Sequence, residues 1–199
     1  MKKLLVATGN THKTEEIRSM LGGEYEVSDL KSYPQLAAVE ETGTTFIENA
    51  TLKAVEISKE VSGLILSDDS GLEVDILGGE PGVYSSRYAG EDGNDAANNE
   101  KLLTALYGKE DRVARFRCVM VLAQKGKRLA YFDGAVEGRI ITGKQGEGGF
   151  GYDPLFIPEG YDETFAELGE KVKNTMSHRA RAMQKVMEWL SGKNIQLDV

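Results

Sequence analysis

The chain is poor in cysteine, in positive charge and in long apolar runs, and each shortage removes a class of protein. One cysteine, Cys118, stands among 199 residues. No disulfide can close within the chain, which fits a reducing compartment and leads to a cytoplasmic location as the expectation. Cys118 sits in an alternating apolar run with nothing nearby to make it a thiolate, so it reads as a core filler. Lysine and arginine number 24 against 32 aspartates and glutamates, a formal net charge of −8. Broad binding to DNA or RNA needs a basic face, so no nucleic-acid partner is expected, although a small phosphate pocket is compatible with the charge. The opening run Leu4-Leu-Val-Ala7 is too short for a signal segment or a membrane span, so no membrane partner is expected either. Internal repeats, low-complexity tracts and obvious linkers are absent.

What is present reads as globular: 40% hydrophobic and 28% charged residues, with length enough to bury a sizeable core. One domain over residues 1–199, built as two lobes, is the expected organisation. The organising stretch is Leu64-Ile-Leu-Ser-Asp-Asp-Ser-Gly71. Its three apolar residues predict a buried strand that stops at Asp68 and Asp69 and turns at Ser70-Gly71. Strand ends are where open α/β sheets bind ligands. Adjacent carboxylates repel unless a cation or strong donor offsets them, and Mg²⁺ with substrate phosphates suits such a pair. An ordinary solvated turn would use the same residue types.

Upstream, Lys3 to Ala7 predicts a first strand and Ile17, Met20 and Leu21 a helix ended by Gly22-Gly23. The turn between them, Thr8-Gly9-Asn10-Thr11-His12-Lys13, would aim backbone N–H groups, side-chain donors and a lysine at an anion. Its spacing is not that of a Walker A loop. Tyr25 to Asp29 predicts a short strand. Thr45 with Glu48 makes a capping-box pattern for a helix whose face runs Ile47, Ala50, Ala54, Ile57, Val61, with Gly63 as the stop. Glu40 and Glu41 precede that helix and are candidate partners for Asp68 and Asp69. Leu72 to Leu77 predicts a further strand, and Asn94 opens a helix. Val113 to Ala123 alternates clearly and turns through Gln124-Lys-Gly-Lys127 into a strand over Leu129 to Ile141. The pattern predicts a mixed α/β sheet with flanking helices, elongated into two lobes around a central cleft.

Gly146-x-Gly148-x-x-Gly151 formally matches a dinucleotide fingerprint, but Asp153-Pro154 follows where a helix should begin, so that reading is rejected. A loop this rich in glycine lets backbone approach a ligand, and Phe150 and Tyr152 could offer a base an aromatic face. Ser177 predicts an N-cap for a last helix with Ala180, Met183, Met187 and Leu190 as its buried stripe. His178, Arg179 and Arg181 in its first turns oppose the helix dipole, which suits an anionic or electron-rich partner.

Together these segments resemble the Ham1 family of inosine/xanthosine triphosphate pyrophosphatases. The matches are Thr8-Gly-Asn-x-x-Lys13, Glu41-Thr-Gly-x-Thr-Phe-x-Glu-Asn-Ala50, Ser67-Asp-Asp-Ser-Gly-Leu72, Gly148-Gly-Phe-Gly-Tyr-Asp-Pro-Leu-Phe156 and Ser177-His-Arg179. They occur in family order across nearly the whole chain. Ser67 stands where the family usually has alanine. The resemblance implies a homodimer that hydrolyses ITP, dITP and XTP to the monophosphate and pyrophosphate with Mg²⁺. It implies that the segment Thr8 to Lys13 and Ser70 bind the substrate, with Thr8, Asn10 and Lys13 on the triphosphate. Glu40 or Glu41, with Glu40 preferred, would hold the metal with Asp69 and Asp68. Asp69 would be the general base. Phe150, Gly151, Tyr152, Asp153, Lys173, His178 and Arg179 would receive the base. A pyrophosphatase for modified pyrimidine triphosphates and a non-catalytic nucleotide-binding regulator are the competing readings.

Overall fold

The protein is described from a computed structural model covering residues 2–192. Six strands form one mixed sheet in the order β2-β1-β3-β4-β5-β6. They are β1 (Lys2–Val6), β2 (Tyr25–Asp29), β3 (Leu64–Val74), β4 (Val113–Gln124), β5 (Lys127–Ile140) and β6 (Phe156–Pro158). The helices are α1 (Thr11–Leu21), α2 (Phe46–Glu60), α3 (Asp95–Ala105), α4 (Phe165–Met176) and α5 (His178–Gly192). Strand β1 runs parallel to both β2 and β3, whereas β6 runs antiparallel to β5. The expected mixed α/β sheet with flanking helices is present.

The contacts divide the chain into two compact units. The first comprises residues 1–69, 118–134 and 179–199, and the second residues 70–117 and 135–178. Strands β3, β4 and β5 contribute residues to both.

In the first unit the central strands are apolar on both faces because both are covered. Successive strand side chains point to opposite sides. Leu4, Val6, Leu64 and Leu66 pack with Ile17 and Leu21 of α1 and Met183, Val186 and Leu190 of α5. The alternate residues Leu5, Ala7 and Ile65 pack with Ile57 of α2. This double burial is why β1 and the start of β3 read as unbroken hydrophobic runs. The second unit has its own core, in which Leu72 and Val74 of β3, Phe116 of β4 and Ile140 of β5 meet Leu102 of α3, its C-cap Leu106 and Phe165 of α4.

Two sequence expectations are corrected. Strand β3 does not stop at the aspartates. It runs through Asp68, Asp69, Ser70 and Gly71 to Val74, and the segment Asp75–Leu77 is a short 3-10 turn rather than more strand. Mid-strand carboxylates are tolerable here because cations from other elements reach them, as shown below. The second correction is α4, which the sequence reading passed over. Its N-terminus carries a complete capping box, Thr164 with Glu167, of the same pattern that correctly located α2 behind Thr45 and Glu48.

Candidate active site

The first unit gathers a cluster of buried ions around β3. Asp68 is fully buried. Lys13 from α1 reaches its Oδ1 at 2.6 Å, and Arg179 from α5 donates from Nε to Oδ2 at 2.8 Å. The Cys118 thiol also lies 3.1 Å from Oδ2. Arg179 donates in turn to Glu16 Oε2 of α1 at 2.5 Å. Burial alone would push the Asp68 carboxyl up, but the Arg179 and Lys13 charges outweigh it and hold it well below the usual carboxylate range. Two acids and two bases thus neutralise one another inside the protein.

Asp69, the next residue, points to the opposite side of the strand and has a different environment. Lys53 Nζ of α2 lies 3.1 Å from its Oδ1, 2.8 Å from Glu41 Oε1 and 2.9 Å from the Asp68 carbonyl oxygen. The other Asp69 oxygen, Oδ2, is buried and has no hydrogen-bond partner among the described residues. Burial raises the Asp69 carboxyl above its ordinary range despite the opposing Lys53 and Lys13 charges. Burial also disfavours the Lys53 ammonium, but Asp69 and Glu41 reverse that effect and raise it.

Glu41 is held in place by the start of α2. The Glu48 side chain accepts from the Thr44 and Thr45 N–H groups at 2.8 and 3.1 Å, and Asn49 Oδ1 accepts from the Gly43 N–H at 2.8 Å. Only glycine fits at 43, because a Cβ would stand 2.6 Å from Glu48 Cβ and 2.7 Å from Asn49 Oδ1. Asn49 and Lys53 are four residues apart on one helix face, so a single stripe of α2 grips both ends of the Glu41–Gly43 segment. Glu40 is exposed.

The turn before α1 forms as expected, but part of its donor set is already used. Asn10 is the N-cap, and its side chain accepts from the backbone N–H of His12 and Lys13 at 3.0 and 3.3 Å. Thr8 Oγ1 accepts from the Asn10 N–H at 3.1 Å. Thr11 Oγ1 hydrogen-bonds Lys31. Gly9 and His12 are exposed.

The second unit holds most of the residues expected at a base. Lys173 of α4 and Asp153 are both buried and paired at 2.7 Å. The Lys173 ammonium stands 4.4 Å from the Phe150 ring centroid, a cation–π geometry. Asp153 Oδ2 also accepts the Phe150 N–H at 2.9 Å. A Cβ at Gly149 would fall on the Asp153 carboxylate, and the φ of +73° there is itself a glycine conformation. The Tyr152 ring is core, with its hydroxyl donating to the Ser85 carbonyl at 2.8 Å. Burial raises that phenol above its ordinary range. His178 stacks on Phe116 at 4.9 Å between centroids. Ser70 is half-buried on β3.

Of the expected base-binding residues, Arg179 lies in the ion cluster of the first unit, on Asp68 and Glu16. Lys53 and Glu16 escaped the sequence reading altogether, and Asn49 entered it only as a member of the Glu41–Ala50 motif, with no role. Lys53 and Asn49 flank the Ala50–Ala54–Ile57 stripe of α2, and Glu16 adjoins the buried Ile17. Polar residues bordering a buried stripe are the available signal. Ser67, unusual for its position, is fully buried and donates to the Ala50 carbonyl at 2.6 Å, so its hydroxyl is satisfied by α2.

Comparison with known proteins gives the chain its relatives. The Ham1 family model matches residues 4–189. A Bacillus licheniformis protein named dITP/XTP pyrophosphatase is 49% identical over 189 residues, covering 94% of this chain and 96% of its own length. Its Bacillus subtilis namesake is 46% identical over 193 residues, covering 96% and 98%. The structure of the Staphylococcus aureus Ham1 protein superimposes with a TM-score of 0.86 at 41% identity, covering 96% of this chain and 99% of its own. That of a HAM1 protein from Coxiella burnetii gives 0.87 at 36% identity, covering 97% and 100%. With the glutamate before α2, the paired aspartates of β3, the glycine-rich Phe150 loop and the His178-Arg179 pair all in place, the chain belongs to the Ham1 family.

Proposed function

We propose that this protein is a nucleoside-triphosphate pyrophosphatase that converts dITP, ITP and XTP to the monophosphate and pyrophosphate. The observation that carries the chemistry is Asp69, a buried carboxylate with one oxygen on Lys53 and the other without a hydrogen-bond partner among the described residues. Burial raises its proton affinity, which suits a base that must accept a proton near neutral pH. Asp69 takes a proton from the water that attacks the α-phosphorus, and pyrophosphate leaves. Lys13 carries positive charge toward the triphosphate. Asp68, both of whose oxygens are engaged by Lys13 and Arg179, positions Lys13 and is not assigned to a metal.

Mg²⁺ fits the donor set of Glu41 and Asp69. Among the described residues no group of three or more metal-ligating side chains is assembled, and Mg²⁺ is commonly held by one or two carboxylates plus substrate phosphates. When bound, the ion would neutralise phosphate charge in the displacement. Glu41 takes the ligand role in preference to Glu40, because Glu41 shares Lys53 with Asp69.

The base is assigned to Phe150 and Lys173. A ring offers stacking surface, and an ammonium oriented by Asp153 favours the 6-oxo acceptor of hypoxanthine and xanthine over the 6-amino donor of adenine. The protein is further proposed to act as one domain, as a homodimer and in the cytoplasm. In support of the location, among the described residues no helix is long and apolar enough to cross a membrane.

The test is product analysis with dITP, XTP, ITP, GTP and ATP, with and without Mg²⁺. Pyrophosphate from the first three, dependent on metal, is expected. Orthophosphate release would place cleavage at the γ-position and overturn the mechanism.

A further inference from the structure

We infer that Asp95 and Asn99, on the first turns of α3, are positioning residues that set nucleotide specificity by clamping the backbone of Gly151, the residue after Phe150. The inference rests on the proposed assignment of Phe150 to the base. Gly151 is gripped at both of its backbone polar groups. Its N–H donates to Asp95 Oδ2 at 2.6 Å, and its carbonyl accepts from Asn99 Nδ2 at 2.8 Å. The same Asn99 amide nitrogen donates to the Asp95 carbonyl oxygen at 2.8 Å. Both hydrogens of the amide are therefore used, one along the helix and one across to the loop. The two residues lie four apart on one helix face, the spacing that lets side chains act together.

The clamp acts where packing around the backbone is open. Gly151 has a φ of +61° and nothing within 4 Å of where a Cβ would stand. Shape alone does not hold this residue, so directional hydrogen bonds must. On either side the chain is anchored: Phe150 N–H to Asp153, and the Tyr152 hydroxyl to Ser85. The clamp fixes the peptide between those anchors and so the plane of the Phe150 ring over Lys173. Helix α3 is a firm support, with Leu102 and its C-cap Leu106 in the core and Asn98 bonding both Ala89 N–H and the Ser86 carbonyl at 2.7 and 2.9 Å. Asn99 itself is buried, so its role is not that of a solvated surface amide.

The experiment compares the full-length wild type with Asn99→Leu, Asp95→Ala and Asp95→Asn. Asparagine at 95 keeps an acceptor for the Gly151 N–H and is the conservative rescue. Three readouts are taken: kcat and KM for XTP, dITP and GTP; nucleotide dissociation constants; and amide hydrogen exchange over residues 150–152 in the free protein. In Asn99→Leu and Asp95→Ala, exchange of these amides is expected to rise about tenfold or more. KM for XTP should rise about tenfold while kcat stays within about threefold, and the preference for XTP over GTP should shrink. Asp95→Asn should stay close to wild type on all three. Faster exchange with unchanged KM and preference would make the clamp merely structural and overturn the proposal. So would unchanged exchange, or a fall in kcat shared by all nucleotides and tracking a lowered Tm. If the wild type released no pyrophosphate from any nucleotide, the proposed function would fail. Exchange and the dissociation constants would still decide whether the clamp orders the loop and sets base preference.

Discussion

The first unit buries charge in bulk, whereas the second buries the Lys173–Asp153 pair among aromatic rings. Around β3 of the first unit, Asp68, Glu16, Lys13 and Arg179 neutralise one another, and Lys53 bridges Asp69 and Glu41. In the second unit Lys173 and Asp153 pair beneath Phe150, with Phe165 also within 5.9 Å of the ammonium. The first arrangement suits a charged ligand group and the second a flat aromatic one. A triphosphate and its displacement need charge held ready in a dry site. A base needs a flat apolar surface and a few donors that leave a mismatched partner unsatisfied.

The sharpest way to break this comparison is Asp69→Ala. If the first unit carries the chemistry, turnover should fall by a factor of about 10²–10⁴, the range for loss of a general base. Circular dichroism should be unchanged. Retained turnover would move the chemistry elsewhere. Next is Asp68→Ala, which takes one of two carboxylates from the buried Arg179 and removes the ion pair of the largely buried Lys13. Removing one partner of such a cluster costs about 3–5 kcal/mol, measurable as a shifted denaturant midpoint. A loss below about 1 kcal/mol, the range of exposed pairs, would show that the cluster is solvated in solution.

In the second unit, Lys173→Met should act on preference rather than on rate. Losing the donor to a 6-oxo group should raise KM for XTP by about ten- to a hundredfold, with a smaller change in kcat, and narrow the gap between XTP and ATP. Equal losses of kcat with both nucleotides would merge the two roles.

The gentlest separation is by pH, using amide exchange to watch each unit. The Asp68 carboxyl is depressed on folding, so its contribution is present above the unfolded value, about pH 4, and is lost as pH falls through the lower folded one. The Tyr152 phenol is raised on folding, so its contribution is complete below its unfolded value, about pH 10, and is lost as pH climbs past it toward the folded one. Protection should therefore weaken first around Asp68 in acid and first around Tyr152 in alkali. The reverse order would contradict both attributions.

The parts legible in the sequence were those set by neighbours along the chain. The period of Ile17, Met20 and Leu21 located α1, and the Thr45–Glu48 box located α2 to within a residue. The alternation of Phe116, Cys118, Met120 and Leu122 gave one buried face of β4, but Val119, Val121 and Ala123 on the other face are buried as well. What misled was reading Asp68-Asp69-Ser70-Gly71 as a turn by residue type. Whether a strand can continue through two acids depends on cations that arrive from residues 13, 53 and 179, and no local pattern announces them. The same holds for Arg179, whose partner Asp68 is 111 positions away. Its place at the first turn of α5 correctly signalled an anionic partner, but not that the partner is a carboxylate of this protein.

The tie between Asp68 and Arg179 also governs the order in which the molecule can mature. As the chain is synthesised, Asp68 emerges while Arg179 is still more than a hundred residues from being made. Until then the middle of β3 holds an acid with only part of its counter-charge. The protein's central strand thus reaches its final electrical balance only when the last helix arrives, which makes α5 the keystone of assembly as well as a wall of the core. Refolding of Arg179→Met should accordingly be slowed in the phase that reports on β3. An unchanged rate would show that the strand settles before the pair forms.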